Sequence, residues 1–355
     1  MRTMLRSGSN ASLLKKQQYL IPPILLNKKC SGITGRLSLA TRSLLVPLIV
    51  LLLLACNSAN SNKPNAPTAS TPCRTVEHGM GQTCVPLNPK RVVVLNKLDN
   101  VLALGVKPVG ASTLGNGKFI DYLADQTQGI ESVGTYSQPN LEKILLLKPD
   151  LILGTTWDSK ETYDKLSRIA PTVFVQTDDN RLWKTWLKKE AEALGKTLEA
   201  EKLLQNYEQR VQTLKRSMGD RSPNPQISVV NFWQNNVRIY MKKSFSGLIL
   251  QEVGLPRPPD QNKDKLWERV SLELIPQMNG DVIFLLLGDH NESNLTQFKQ
   301  HPLWSRLKPV KQNKVYEVDS YIWIAGWGMI AANQVLDDLF QHLVEQKNAI
   351  ALESK

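Results

Sequence analysis

Apolar and polar positions follow two rhythms along this chain, and one stretch carries both in succession. In QPNLEKILLLKPDLILG (138–154), Leu141, Ile144, Leu145 and Lys148 trace a helical face of about three turns. Pro139-Asn140 opens that helix and Pro149-Asp150 stops it. Leu151-Ile152-Leu153 then reads as a strand apolar on both sides, the mark of a buried parallel strand. The unit recurs in SLELIPQMNGDVIFLL from Ser271. Asn140 and Ser271, Leu141 and Leu272, Glu142 and Glu273, Asp150 and Asp281, and Ile152 and Ile283 correspond at one constant offset of 131 residues. Each copy has a capping residue, a Glu in the first helical turn and an Asp before a buried strand. Two similar α/β lobes are expected, with Glu142 and Glu273 at equivalent places.

The rest of the pattern fits two lobes. Strands at 91–95 and 108–112, a third from Ser132, and a strand at 172–175 alternate with helices at 98–104 and 160–169, which predicts a mainly parallel sheet. Residues 182–217 are helical with a break at Gly195. From Thr197, Ala200, Leu203, Leu204, Tyr207, Val211 and Leu214 share one face. At 21 residues this piece is about 31 Å long, enough to join two lobes. Beyond Pro225 come strands at 226–233 and 237–241, helices at 246–253 and 294–300, a strand at 315–318 and a closing helix at 328–344. The fold class is therefore α/β: two Rossmann-like lobes with mainly parallel sheets, held apart by one long rigid helix. The lobes are assigned to 75–196 and 219–355, with the connector at 197–218.

Charge first suggests a different reading. A net charge of +12 over 355 residues invites nucleic acid as a partner, but residues 1–56 hold eight of the 44 basic residues and no acid. The remainder has 36 basic against 32 acidic residues, a net +4, so no nucleic-acid partner is inferred. Arg42 is followed by the apolar run Leu44–Ala55, a signal-peptide pattern. That run is about 18 Å as a helix, short of the roughly 30 Å of a bilayer core. Leu53-Leu54-Ala55-Cys56 resembles the lipobox of bacterial lipoproteins. The resemblance implies cleavage after residue 55, lipid on Cys56 and anchorage to a bacterial membrane outside the cytoplasm. Residues 56–74, dominated by Asn, Ser, Pro, Ala and Thr, are assigned as a flexible tether. Cys73 and Cys84, eleven residues apart, are candidates for a disulfide in that compartment. A metal site there would need more ligands than nearby His78.

Several segments in order, PKRVVVL, QPNLEKILLLKPDLILG, VSLELIPQMNGDVIFL, HPLWSRLKPVKQNKVYEVD and SYIWIAGWGMIAANQVLDDL, resemble the periplasmic substrate-binding proteins of ABC importers for ferric siderophores, cobalamin and haem. The resemblance covers nearly all of 85–345 and is nearest to the iron(III) dicitrate and hydroxamate-siderophore branch. It implies a class III binding fold and capture of a ferric siderophore between the lobes. It further implies docking of Glu142 and Glu273 onto an ABC permease. By family position Tyr136, Trp157 and Trp323 contact ligand, with Trp233 and Arg238 as further candidates. Strand alternation places Tyr240 on the same face as Arg238, opposite Val237, Ile239 and Met241. Some relatives have Arg where Tyr136 stands, so a cation is expected from Arg238, Lys97 or Lys118. The aromatic loops also admit cobalamin or haem, and direct metal-ion binding is a second alternative. Its usual ligands are sparse, since His78, His290, His301 and His342 are dispersed. No catalytic motif such as HExxH, GxSxG, Walker A or GxGxxG occurs. No catalytic residue, resident cofactor or metal site is therefore assigned.

Overall fold

The computed structural model describes residues 72–157, 160–219, 224–233, 236–287 and 292–345. The leader and Cys56 lie outside the described residues. The chain enters as a hairpin, β1 (Cys73–His78) and β2 (Gly81–Pro86), which the hydropathy pattern did not predict. A disulfide joins Cys73 and Cys84 across it, with Cα atoms 5.6 Å apart. The tether assigned to 56–74 therefore runs two residues too far. Cys73 and Arg74 belong to β1, and Arg74 donates to the carbonyls of Leu87 and Glu192.

The N-lobe sheet contains β3 (Val92–Val94), β4 (Gly110–Thr113), β5 (Glu131–Thr135), β6 (Leu151–Thr155) and β7 (Thr172–Val175). Its order is β5-β4-β3-β6-β7 and every pairing is parallel. The C-lobe sheet contains β8 (Ile227–Trp233), β9 (Asn236–Tyr240), β10 (Trp267–Arg269), β11 (Val282–Leu287) and β12 (Val315–Asp319), in the order β10-β9-β8-β11-β12. This sheet is mixed: β8, β11 and β12 run parallel, whereas β9 and β10 pair antiparallel. Two residues separate β8 from β9, too few for the crossover that parallel pairing needs.

Both copies of the repeated unit anchor their sheet in the same way. Asp150 accepts the backbone N–H groups of Lys90 and Arg91, which lead into β3, and Asp281 accepts that of Gln226, which leads into β8. In each lobe the strand after the Asp pairs with the strand so anchored.

The connector helix Thr197–Met218 follows the helix Trp183–Leu194, which ends at left-handed Gly195. Strand alternation sorts side chains onto two faces. Val93, Ile152 and Phe174 fill an outer N-lobe core, and Val230, Ile239 and Ile283 an outer C-lobe core. On the inner faces, Val92, Leu151 and Val173 belong to one continuous apolar cluster with Val229, Phe284 and Leu286 of the other lobe. The two helices above and the closing helix Met329–Phe340 complete it. The lobes are thus not merely held apart by the connector; they share a layer of helices that buries both inner faces.

Candidate functional site

The carboxyl ends of the strands in both lobes open onto one cavity of about 580 Å³. This is where open α/β sheets bind ligands, because loops there diverge from a rigid base. The N-lobe wall comes from the loops after β3 (Asn96, Lys97), β4 (Leu114), β5 (Tyr136) and β6 (Trp157), with Ile120 and Tyr122. The C-lobe wall is built by Asn231 on β8, Arg238 and Tyr240 on β9, and Trp267 on β10. It is completed by Tyr321 and Ile324 of the π-helical turn Tyr321–Ala325, and by Trp327.

Both cations of this lining ride on indoles. The Lys97 Nζ lies 4.9 Å from the ring centre of Trp186, 5.6 Å from that of Trp157 and 5.9 Å from that of Trp327. The Arg238 guanidinium sits 4.3 Å over Trp267. Each contact holds a flexible cation in place, at about 0.5–2 kcal/mol. Asn96 Nδ2, Asn231 Oδ1 and Arg238 Nε are buried and make no hydrogen bond among the described residues. Such groups cost about 1–3 kcal/mol each until a ligand or water meets them, so the walls are set to receive polar atoms.

Two acids lie beneath. Burial pushes the Asp99 carboxyl up to about 6, against the N–H groups of Ala331 and Ile330 and the Tyr122 hydroxyl that favour its charge. Burial likewise pushes Glu190 up to about 8, although it accepts a hydrogen bond from Asn100. At neutral pH Glu190 is mostly uncharged and the Asp99 charge is spread over three donors. Lys97 acts on both carboxyls and favours their charged forms.

Tyr136, Trp157, Arg238 and Tyr240 all line the cavity, with Trp157 59 % exposed. Trp233 ends β8 opposite Asn236, and its side chain lies outside the described set. Trp323 is a correction. It is fully buried, stacks 4.5 Å from Phe284, and donates its indole N–H to Asp338 at 2.6 Å. Both tyrosine and tryptophan occur in that turn, and Tyr321 is the residue that reaches the cavity. Trp267 and Asp99 went unread. Trp267 lies on a three-residue edge strand too short to register as alternation, and Asp99 looks like an ordinary acid in a first helical turn. Glu142 is exposed in the first turn of the helix Leu141–Leu146, capped by Asn140. Glu273 is exposed at the start of the tight helix Leu272–Met278, where Ser271 donates to it and holds its carboxyl below the usual value.

Two α/β lobes with an aromatic, cation-bearing cavity between them define a class of protein, one that encloses a solute between its halves. The chain belongs to the periplasmic binding protein family, whose sequence profile matches residues 92–322. It is 38 % identical over 295 residues to the Probable siderophore-binding lipoprotein YfiY of Bacillus subtilis (strain 168), covering 79 % of this chain and 90 % of that protein. It is 32 % identical over 266 residues to an achromobactin-binding periplasmic protein of Dickeya dadantii (strain 3937), covering 71 % of this chain and 85 % of that one. Among solved structures, Staphylococcus aureus SirA complexed with staphyloferrin B matches with a TM-score of 0.67 at 34 % identity. That match covers 76 % of this chain and 98 % of SirA. Among the described residues no helix is long and apolar enough to cross a membrane.

Proposed function

We propose that the chain is the extracytoplasmic solute-binding lipoprotein of an ABC importer. It captures a ferric siderophore of the citrate or hydroxamate type between its lobes and delivers it to the permease for iron uptake. The observation that carries this reading is the cavity, about 580 Å³ with aromatic walls and one indole-held cation from each lobe. Its size falls within the roughly 300–1,000 Å³ of small-molecule sites. A ferric chelate whose carboxylates exceed the charge of its metal is anionic at the rim and apolar elsewhere, which suits such walls. The relatives named above support the same ligand class.

In this reading Tyr136, Trp157, Arg238 and Tyr240 touch the ligand, Lys97, Trp267 and Tyr321 join them, and Trp233 completes the end of β8. Trp323 is left out. The iron arrives and leaves inside its chelate, so the protein is a carrier rather than an enzyme and needs no resident cofactor or metal. Residues 1–55 are the signal peptide, and Cys56 carries the lipid that holds the protein to a bacterial membrane. The lobes are 73–196 and 219–355, joined by 197–218, and Glu142 and Glu273 meet the permease.

Titration of intrinsic fluorescence tests the ligand. A ferric citrate or hydroxamate complex should quench the tryptophans around Lys97 and Arg238. Hydrogen bonds to a charged group are worth about 1.5–3 kcal/mol, so Arg238→Ala should weaken ferric citrate about tenfold or more. A neutral ferric trihydroxamate should stay within about twofold. Equal losses for both chelates remove Arg238 from the site. Tight binding of cobalamin, haem or uncomplexed iron(III), with no ferric chelate bound, replaces the reading altogether.

A further inference from the structure

The floor of the cavity is a seam where the N-lobe segment 96–100 grips the C-lobe segment 326–331. Asp99 is 2 % exposed, and its carboxylate accepts the N–H groups of Ile330 at 2.8 Å and Ala331 at 2.9 Å. The same carboxylate accepts the Tyr122 hydroxyl at 3.0 Å. Asn100 Oδ1 accepts the N–H of Met329 at 3.1 Å, while its Nδ2 donates to Glu190 at 2.8 Å. Those three amides open the helix Met329–Phe340, whose own N-cap, Gly328, supplies no side-chain acceptor. The cap comes instead from the other lobe, some 230 residues away in sequence.

The surroundings are shaped for this contact. A Cβ on Gly328 would lie 2.2 Å from the Asp99 oxygen, so only glycine lets the carboxylate approach. A Cβ on Gly326 would lie 3.3 Å from the Tyr122 hydroxyl, so Tyr122 closes against the C-lobe on the other side. Lys97 and Trp327 meet across the same seam, and both hold left-handed backbone, φ 57 and 48. Conformations of that kind persist where neighbouring contacts over-determine them.

We infer that Asp99 is a positioning residue of the ligand site: by capping the closing helix from the opposite lobe it sets the spacing of the two cavity walls. Lys97, Tyr122 and Trp327 line the cavity and are all tied to this clasp. The connector helix contributes to the inner apolar layer, whereas Asp99 of the clasp itself lines the cavity. Sliding the lobes apart would strip several buried polar groups of their partners at once. The part of the inference that concerns ligand rests on the proposed carrier function.

The test uses the full chain with Asp99→Ala, Asp99→Asn, Tyr122→Phe and, on an exposed position of the connector, Gln205→Gly. Hydrogen exchange at the amides of Met329, Ile330 and Ala331 reads the clasp, and stopped-flow dissociation of ferric citrate, followed by tryptophan fluorescence, reads the site. Asp99→Ala should speed both at least tenfold, and Asn, which keeps one of the two acceptor oxygens, should speed both by less than Ala does. Tyr122→Phe should fall between, and Gln205→Gly should leave both within about twofold. Unchanged exchange in Asp99→Ala overturns the clasp, as does an equal effect of Gln205→Gly on dissociation. Should Asp99→Ala fail to fold, Tyr122→Phe decides: no change in either rate overturns the inference. Should the unaltered protein bind no ferric chelate, the carrier reading falls, and the clasp stands or falls on exchange alone.

Discussion

The two copies of the repeated unit differ where they look most alike in sequence and agree where the resemblance is a single acid. In the N-lobe copy Asn140 accepts the N–H of Lys143, and a regular helix follows over Leu141–Leu146. In the C-lobe copy the Ser271 hydroxyl donates to Glu273 instead, and the chain forms a tight 3₁₀ helix over Leu272–Met278 with Pro276 inside it. Proline removes an N–H and crowds the preceding turn, so a wide helix does not propagate there. Yet Asp150 and Asp281 both bind the backbone leading into the first strand of their sheet. What the duplication keeps is a strand anchor and an exposed glutamate; the helix between them is free to change.

If the glutamates are the kept feature, they matter as a pair. Glu142 stands beside Leu145 and Leu146, 58 % and 79 % exposed, and Glu273 beside Leu274, 41 % exposed. Each lobe thus presents an acid next to solvent-facing leucines. Glu142→Ala combined with Glu273→Ala should abolish iron uptake in cells and leave chelate affinity in vitro unchanged. Normal uptake by the double variant would show that the matched placement is only helix-dipole compensation. Each single variant should lose part of uptake, and an effect confined to one lobe would make the pairing accidental.

Packing offers the next comparison. Ile144 and Ile275 occupy equivalent places, both fully buried, but in separate outer cores. Truncating either to Ala should cost about 2–5 kcal/mol, the usual range for a buried aliphatic side chain. Because the two sites share no neighbours, the costs should add in the double variant to within about 0.5 kcal/mol. Urea unfolding reads this. A marked departure from additivity would mean that the shared inner cluster couples the outer cores more tightly than the geometry indicates.

Legibility in the sequence tracked the length of the signal. The parallel N-lobe sheet was readable because β3, β6 and β7 carry apolar runs, and the connector because its apolar face recurs over about four turns from Ala200 to Leu214. The edge strand at Trp267–Arg269 and the hairpin at Cys73–Pro86 were not, since neither has enough alternation to stand out. For the site, alternation on β9 separated Arg238 and Tyr240 from Val237, Ile239 and Met241, and the structure places the first pair at the cavity and the others in the core. Trp323 was assigned by family position, and in the π-helical turn the ring that faces the cavity belongs to Tyr321, while the one two positions on faces Phe284. The clasp at Asp99 lay beyond reach, since its partners are distant in sequence and are backbone amides with no residue signature.

The smallest effect separates the two anchoring acids. Asp150 accepts two backbone N–H groups, whereas Asp281 accepts one and also binds the Lys308 ammonium. Burial alone would raise the Asp281 carboxyl, but the Lys308 ammonium and the Gln226 N–H outweigh it and hold the group below its usual 3.8. A folded-state value below the unfolded one makes the charged form stabilising. That contribution is fully present above about pH 4 and fades as pH falls through the depressed value. Asp281→Asn keeps an acceptor for Gln226 and loses the charge, so it should cost about 1 kcal/mol at pH 7, typical of a part-exposed charged hydrogen bond. In urea titrations the gap to the unaltered protein should narrow steadily below pH 4. The absence of any cost at pH 7 would mean that Asp281 works only through its backbone bond, which Asn keeps, and that the two anchors are the same device after all.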